Sequence, residues 1–207
     1  MRHLKLPLGM SDFEEIKQNG YYYIDKSGLI SDLLVRKAAK VTLITRPRRF
    51  GKTLGMSMLA HFFDIEKDNR ALFEGLEISK QKELCVQWMN QYPVIFLSLK
   101  NVEGSNFERA KYQMMELIAK EAARHSDLRE NKALDGNAKK EYEALTTFSN
   151  GRYQMTEEAL LGSLQTLSEL LASHYHKKTV ILIDEYDVPL DKAFQHGYYK
   201  EMISLIR

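Results

Sequence analysis

Three short apolar runs limit the folds open to this chain more than any other feature. KVTLIT (40–45), PVIFLSL (93–99) and the apolar start of TVILIDEYD (179–187) are too short for buried helices and rich in β-branched residues. PVIFLSL is apolar almost throughout, as a strand covered on both faces must be. Between these runs the apolar spacing turns helical. KSGLISDLLVRKAAK predicts a helix capped by Ser27 that turns Leu29, Ile30, Leu33 and Leu34 inward. GKTLGMSMLAHFFD predicts another, with Leu54, Met58, Leu59, Phe62 and Phe63 inward. In SNFERAKYQMMELIAKEAARH, Ser105 and Glu108 have the spacing of a capping box. TEEALLGSLQTLSELLASHYH repeats leucine at helical intervals, while residues 126–155 are polar and turn-rich and read as a surface excursion. Strands that alternate with helices predict an α/β fold, a mainly parallel sheet layered between helices.

Composition narrows the function classes. A chain of 207 residues accommodates one domain with a sizeable core, and 44% hydrophobic with 28% charged residues suits a globular protein. The formal net charge of +2 gives no general attraction to nucleic acid or membrane, so a basic function has to come from local clustering. Cys85 is the single cysteine, which excludes an internal disulfide and a thiolate metal cage. No stretch has the length and hydropathy of a signal peptide or membrane span, and the expected location is the cytoplasm.

The motif with most chemistry is TRPRRFGKT, Thr45 to Thr53, placed between an expected strand and an expected helix. That context suits a phosphate-binding loop, whose amides curl round phosphate oxygens while the helix N-terminus adds partial positive charge. Arg46, Pro47, Arg48, Arg49, Phe50, Gly51, Lys52 and Thr53 are the candidate nucleotide contacts. Lys52 would reach the β- and γ-phosphates and Thr53 would bind magnesium. Arg46 stands where such loops usually open with glycine, and Pro47 stiffens the turn further. A plain basic surface loop is the competing reading.

A second half-motif answers the first. VILIDEYD ends an apolar run with Asp184 and Glu185, and the carboxyl end of a parallel strand is where ligands bind in such sheets. Asp184 would hold magnesium and Glu185 would orient and deprotonate a water. His174 and His176 lack the neighbours of a metal site and read as polar residues at a helix end.

Together, LITRPRRFGKTLGMSML and ILIDEYDVPL resemble the bacterial AAA-ATPase-like family, P-loop NTPases often joined to a nuclease-like domain of the PD-(D/E)xK type. YYYIDKSGLI (21–30) and HFFDIEKDNRALFEGLEI (61–78) extend the resemblance from about Gly9 to the end of the chain. RPRRFGKT is the form this loop takes in the family, so Arg46 follows the family pattern. The resemblance implies ATP and Mg2+ as cofactors, with Lys52 and Thr53 on the triphosphate and magnesium, Asp184 on magnesium and Glu185 as the catalytic group for water. It also makes Tyr23, Ile24 and Asp25 candidates for adenine contacts, against the alternative that the tyrosines are packing residues.

The family pattern includes a further core strand with a polar sensor residue, and no segment before Arg207 matches it. The chain is thus expected to hold the N-terminal portion of the domain and to turn ATP over poorly. Direct pairing of 40–45 with 179–184, or completion of the sheet by another copy or chain, would satisfy the strand edges. Two functions stay open. One is an ATP-binding module that hydrolyses ATP when the domain is complete. The other is a non-hydrolysing regulatory or nucleic-acid-contacting module. Arg46, Arg48 and Arg49 could neutralise the γ-phosphate, pair with carboxylates such as Asp187 and Asp191, or meet an anionic partner.

Overall fold

A computed structural model describes residues 5–35, 41–45, 50–131 and 134–206. The chain forms two compact units, one running to Val94 and the other from Ile95. Helices dominate both.

The first unit begins with α1 (Phe13–Gln18), capped by Asp12, whose carboxylate accepts from the Glu15 amide at 2.8 Å. It packs on α3 (Lys52–Phe63), where the Ser57 hydroxyl accepts the Phe13 amide at 2.9 Å. Phe13 has ring neighbours in Tyr23 at 5.3 Å and Phe73 at 5.1 Å, and Phe62 lies 5.4 Å from Phe73. These rings bring together segments distant in sequence and form the centre of the unit.

The predicted helix after Ser27 is α2 (Gly28–Val35), with Ile30 buried as expected. Ser27 has a different task from the expected cap. Its hydroxyl accepts the Ile78 amide at 3.1 Å, on the 3-10 turn Glu77–Lys80. Beyond that turn, α4 (Lys82–Trp88) sets Trp88 on Tyr92 at 4.9 Å between centroids.

The second unit is built round β1 (Val94–Ser98), α5 (Phe107–Arg124) and α8 (Glu157–Tyr175). β1 pairs with β4 (Val180–Asp184) in a small parallel two-stranded sheet. The second and third apolar runs are therefore strands, as expected. The first is not. Residues 42–45 join no strand, and Val41 and Leu43 are largely exposed. Apolar β-branched sequence favours extended backbone but cannot supply a ladder partner. Among the described residues, the expected broad sheet is reduced to one parallel pair and one hairpin.

Two local expectations also change. The head of α5 is capped by Asn106, which accepts the Arg109 amide at 3.0 Å, so the cap lies one residue beyond Ser105. Glu108 instead pairs with Lys111. The polar stretch 126–155 is more than a surface excursion. It holds α6 (Asp127–Glu130), α7 (Gly136–Thr146) and the hairpin of β2 (Phe148–Ser149) with β3 (Arg152–Tyr153). Asn150 and Gly151 both take positive φ at its turn, the Asn-Gly signature of a tight hairpin. Leu128, Leu134, Tyr142, Leu145 and Met155 from this stretch enter the main core.

After β4, α9 (Val188–His196) and α10 (Tyr199–Ile206) fold together, with Ala193, Tyr198 and Met202 buried beside Ala110. The Tyr198 hydroxyl donates to the Gly104 carbonyl at 2.9 Å. A Cβ on Gly104 would lie 2.8 Å from the Ala110 amide nitrogen, so only glycine fits that approach.

The Phe96 amide, within β1, donates to Glu121 on α5 at 2.8 Å. Burial opposes ionisation of Glu121, but bonds from His125, Arg124 and the Phe96 amide outweigh it and hold the carboxyl below its ordinary value. With the folded pKa depressed, its stabilising effect is present above the unfolded value near 4.5 and disappears as pH falls through the folded value. Glu121→Gln should cost about 1.5–3 kcal/mol at neutral pH and flatten the acid limb of stability. Urea titrations at neutral and acid pH check this; an equal acid-induced loss in both proteins would refute the assignment.

Candidate functional site

The phosphate loop and the acidic strand end fall in different units. In the first unit, Arg46, Pro47, Arg48 and Arg49 lie outside the described residues. The proposed roles of these arginines, including pairs with Asp187 or Asp191, lie outside them too. Phe50 follows, with its ring exposed. Gly51 then takes φ +76° and ψ +33° immediately before α3, in the left-handed region where a side chain is strained. No side chain caps this helix start. Its first amides are the unpaired donors that every helix N-terminus leaves, and they carry the positive end of the helix dipole. Lys52 and Thr53 occupy the first turn, half-buried. The far end of α3 is anchored by buried Met58, Leu59, Phe62 and Phe63, which fixes the direction of the axis.

The YYYIDK segment lies close to this loop through Lys26. The Tyr23 ring packs edge-on against Phe13, and its hydroxyl meets the Met58 sulfur at 3.2 Å. Packing is thus its role. Ile24 is exposed. Asp25 accepts the Ser27 amide at 2.8 Å and the Glu77 amide at 2.7 Å. Burial pushes its pKa up, yet these bonds and the nearby Lys17 charge bring it below its usual value. The sequence reading passed over Lys26, whose Nζ donates to the Phe50 carbonyl at 2.9 Å. Its only signal was its place next to Asp25.

In the second unit, β4 delivers Asp184 at its carboxyl end, 5% exposed. Its Oδ2 is buried without a hydrogen-bond partner among the described residues. A buried carboxylate oxygen left so is costly unless something cationic or protic comes to it. Glu185 follows at φ +54° and is half-buried. The Val188 amide closes a turn onto the Glu185 carbonyl at 3.1 Å, and Asp187 leads into α9 with Pro189 in its first turn. The left-handed Glu185 therefore ends the strand abruptly at the residue expected to handle water. Asp191 accepts from Gln195 at 2.9 Å.

Elsewhere, His174 is bonded to Asn131 at 2.6 Å. The Cys85 thiol donates to the Ile78 carbonyl, and burial raises its pKa. Among the described residues no group of three or more His, Cys, Asp or Glu gathers for a metal ion, and no helix is long and apolar enough to cross a membrane.

The family model described as Predicted AAA-ATPase matches residues 7–207, nearly the whole chain. The chain belongs to the AAA-ATPase-like family. Membership makes it a predicted ATP-binding module, with ATP and Mg2+ as the implied cofactors. A curated relative, "Uncharacterized protein in vnfD 5'region" from Azotobacter chroococcum mcd 1, is 34% identical over 99 residues. That match takes in 47% of this chain and 17% of the relative, so the chain spans well under two thirds of its length. No solved structure matches.

For this AAA-ATPase-like chain, the backbone at Glu185 carries a testable cost. A left-handed L-residue is disfavoured by about 1–2 kcal/mol, part of which glycine recovers. Glu185→Gly should raise stability by up to about 1 kcal/mol, measured as the denaturant midpoint. Glu185→Ala keeps the strain and should bring no gain. Equal gains from both would place the cost in the carboxylate and not in the backbone.

Proposed function

We propose that the chain binds ATP with magnesium through Gly51–Thr53 and Asp184, as the nucleotide module of its family. The observation that carries this reading is the buried, unpartnered Oδ2 of Asp184 at the end of β4. A structural aspartate would have bonded both oxygens to its own chain, as Asp25 does. An acidic oxygen kept dry and free fits a divalent cation. By the family resemblance, Thr53 would supply a hydroxyl to magnesium and Lys52 a positive charge to the phosphates. When bound, magnesium would offset the charge on the phosphate oxygens. The open amides at the head of α3 would hold the phosphates by their backbone N–H groups. Glu185 would orient a water and accept its proton.

We further infer slow turnover. Among the described residues β1 is the one strand paired with β4, so the strand carrying Asp184 and Glu185 is braced on one side. The alternative, a non-hydrolysing regulatory or nucleic-acid-contacting module, rests in part on Arg46, Arg48 and Arg49, which lie outside the described residues.

Calorimetric titration with magnesium-ATP should show binding that Lys52→Ala weakens by about 100-fold, the loss of a charge-assisted contact of about 3 kcal/mol. Asp184→Asn should make the remaining affinity indifferent to EDTA. A well-folded wild-type chain that fails to bind magnesium-ATP would overturn the reading. Binding with hydrolysis as fast as in a full-length relative would remove the inference of slow turnover alone.

A further inference from the structure

We infer that Lys26 is a further cation at the phosphate loop, supplied from outside the motif, which holds the Phe50–Gly51 turn and reaches the phosphates of a bound nucleotide. This rests on the ATP-binding reading and extends it to a residue outside the loop motif.

The geometry begins with the backbone on either side of Lys26. Asp25 is tied by its two carboxylate oxygens to the Ser27 and Glu77 amides. Ser27 is fully buried, and its hydroxyl takes the Ile78 amide. Gly28 is closely fitted as well, because a Cβ there would lie 2.9 Å from Glu77 Oε2. Lys26 therefore projects from a backbone fixed before and after it, although its own side chain is at the surface. An exposed lysine normally spends its rotamer freedom in water. This one ends on a carbonyl twenty-four residues away, at 2.9 Å.

The carbonyl it selects belongs to the loop. Phe50 immediately precedes Gly51, and a Cβ on Gly51 would stand 3.3 Å from Lys26 Nζ. The ammonium thus covers the face of the turn that glycine leaves open. Among the described residues it has no carboxylate within ion-pair distance, so its charge is not neutralised locally. An ammonium has three donors, and the Phe50 carbonyl uses one. Among the described residues the other two have no acceptor, and they would serve phosphate oxygens at the loop. Lys52, from the first turn of α3, would approach the same anion from the helix side. A polyphosphate carries several negative charges, and a cation added from outside the motif offsets more of them.

The test is calorimetry with magnesium-ATP on the wild type, Lys52→Ala, Lys26→Gln and Lys26→Arg, with the nucleotide-free melting temperature of each. Lys26→Gln should bind about 10-fold to 100-fold more weakly with its melting temperature unchanged, and Lys26→Arg should recover most of the affinity. Wild-type affinity in Lys26→Gln would overturn the inference while Lys52-dependent binding leaves the ATP reading standing. So would a weakened affinity accompanied by a fall in melting temperature that Lys26→Arg does not restore, since Lys26 would then only brace the fold. No binding by the wild type would overturn the ATP reading, and this inference with it.

Discussion

A backbone amide or carbonyl shut away from water must find a partner, and in this chain side chains meet much of that demand. Among the described residues the parallel sheet of the second unit is two strands wide, and the segments around α3 are largely turns and short helices. Strand ladders leave many groups unserved in such a layout. Ser57 takes the Phe13 amide, Ser27 the Ile78 amide, and Asn90 the Asn69 amide. Glu121 takes the Phe96 amide, and the Tyr142 hydroxyl donates to the Ala122 carbonyl. Each bond joins elements distant in sequence. Losing one leaves a buried polar group exposed to its full desolvation cost.

Against that background Asp184 stands apart. Among the described residues, its Oδ2 is the buried side-chain oxygen that this economy of partners leaves out. The next residue adds a second departure, because Glu185 holds a backbone conformation that glycine would adopt more easily. Local strain next to an unsatisfied carboxylate is what a folded chain sheds unless another requirement keeps it. At the head of α3 the left-handed position falls on glycine and is free of that cost. The head of α3 and the end of β4 thus meet their backbone demands differently.

Periodicity made the long elements legible. The inward faces of α3 and α8 follow their leucine, methionine and phenylalanine spacing, and β1 and β4 lie within the apolar runs that announced them. Properties that depend on a distant partner were not legible. KVTLIT has strand composition, but a strand needs a neighbour, and composition does not name one. Ser27 looked like a helix cap because it precedes a helix; its real partner is fifty-one residues away. The polar stretch 126–155 hid core residues because its helices are short and its apolar positions sparse. Lys52, Thr53, Asp184 and Glu185 were legible as motif residues, whereas the free oxygen of Asp184 and the contact of Lys26 with Phe50 are facts of three dimensions.

The bond from Glu121 to Phe96 gives the sheet a direction. β1 has β4 on one edge, and on the other a carboxylate already occupies one of its ladder donors. A strand approaching that side would have to displace a charged, hydrogen-bonded side chain, which is one way natural sheets blunt an edge. The outer edge of β4 has no such guard among the described residues, and Ile181 and Ile183 share its more exposed face. Among the described residues, the edge left open to a further strand is therefore that of β4, which ends in Asp184.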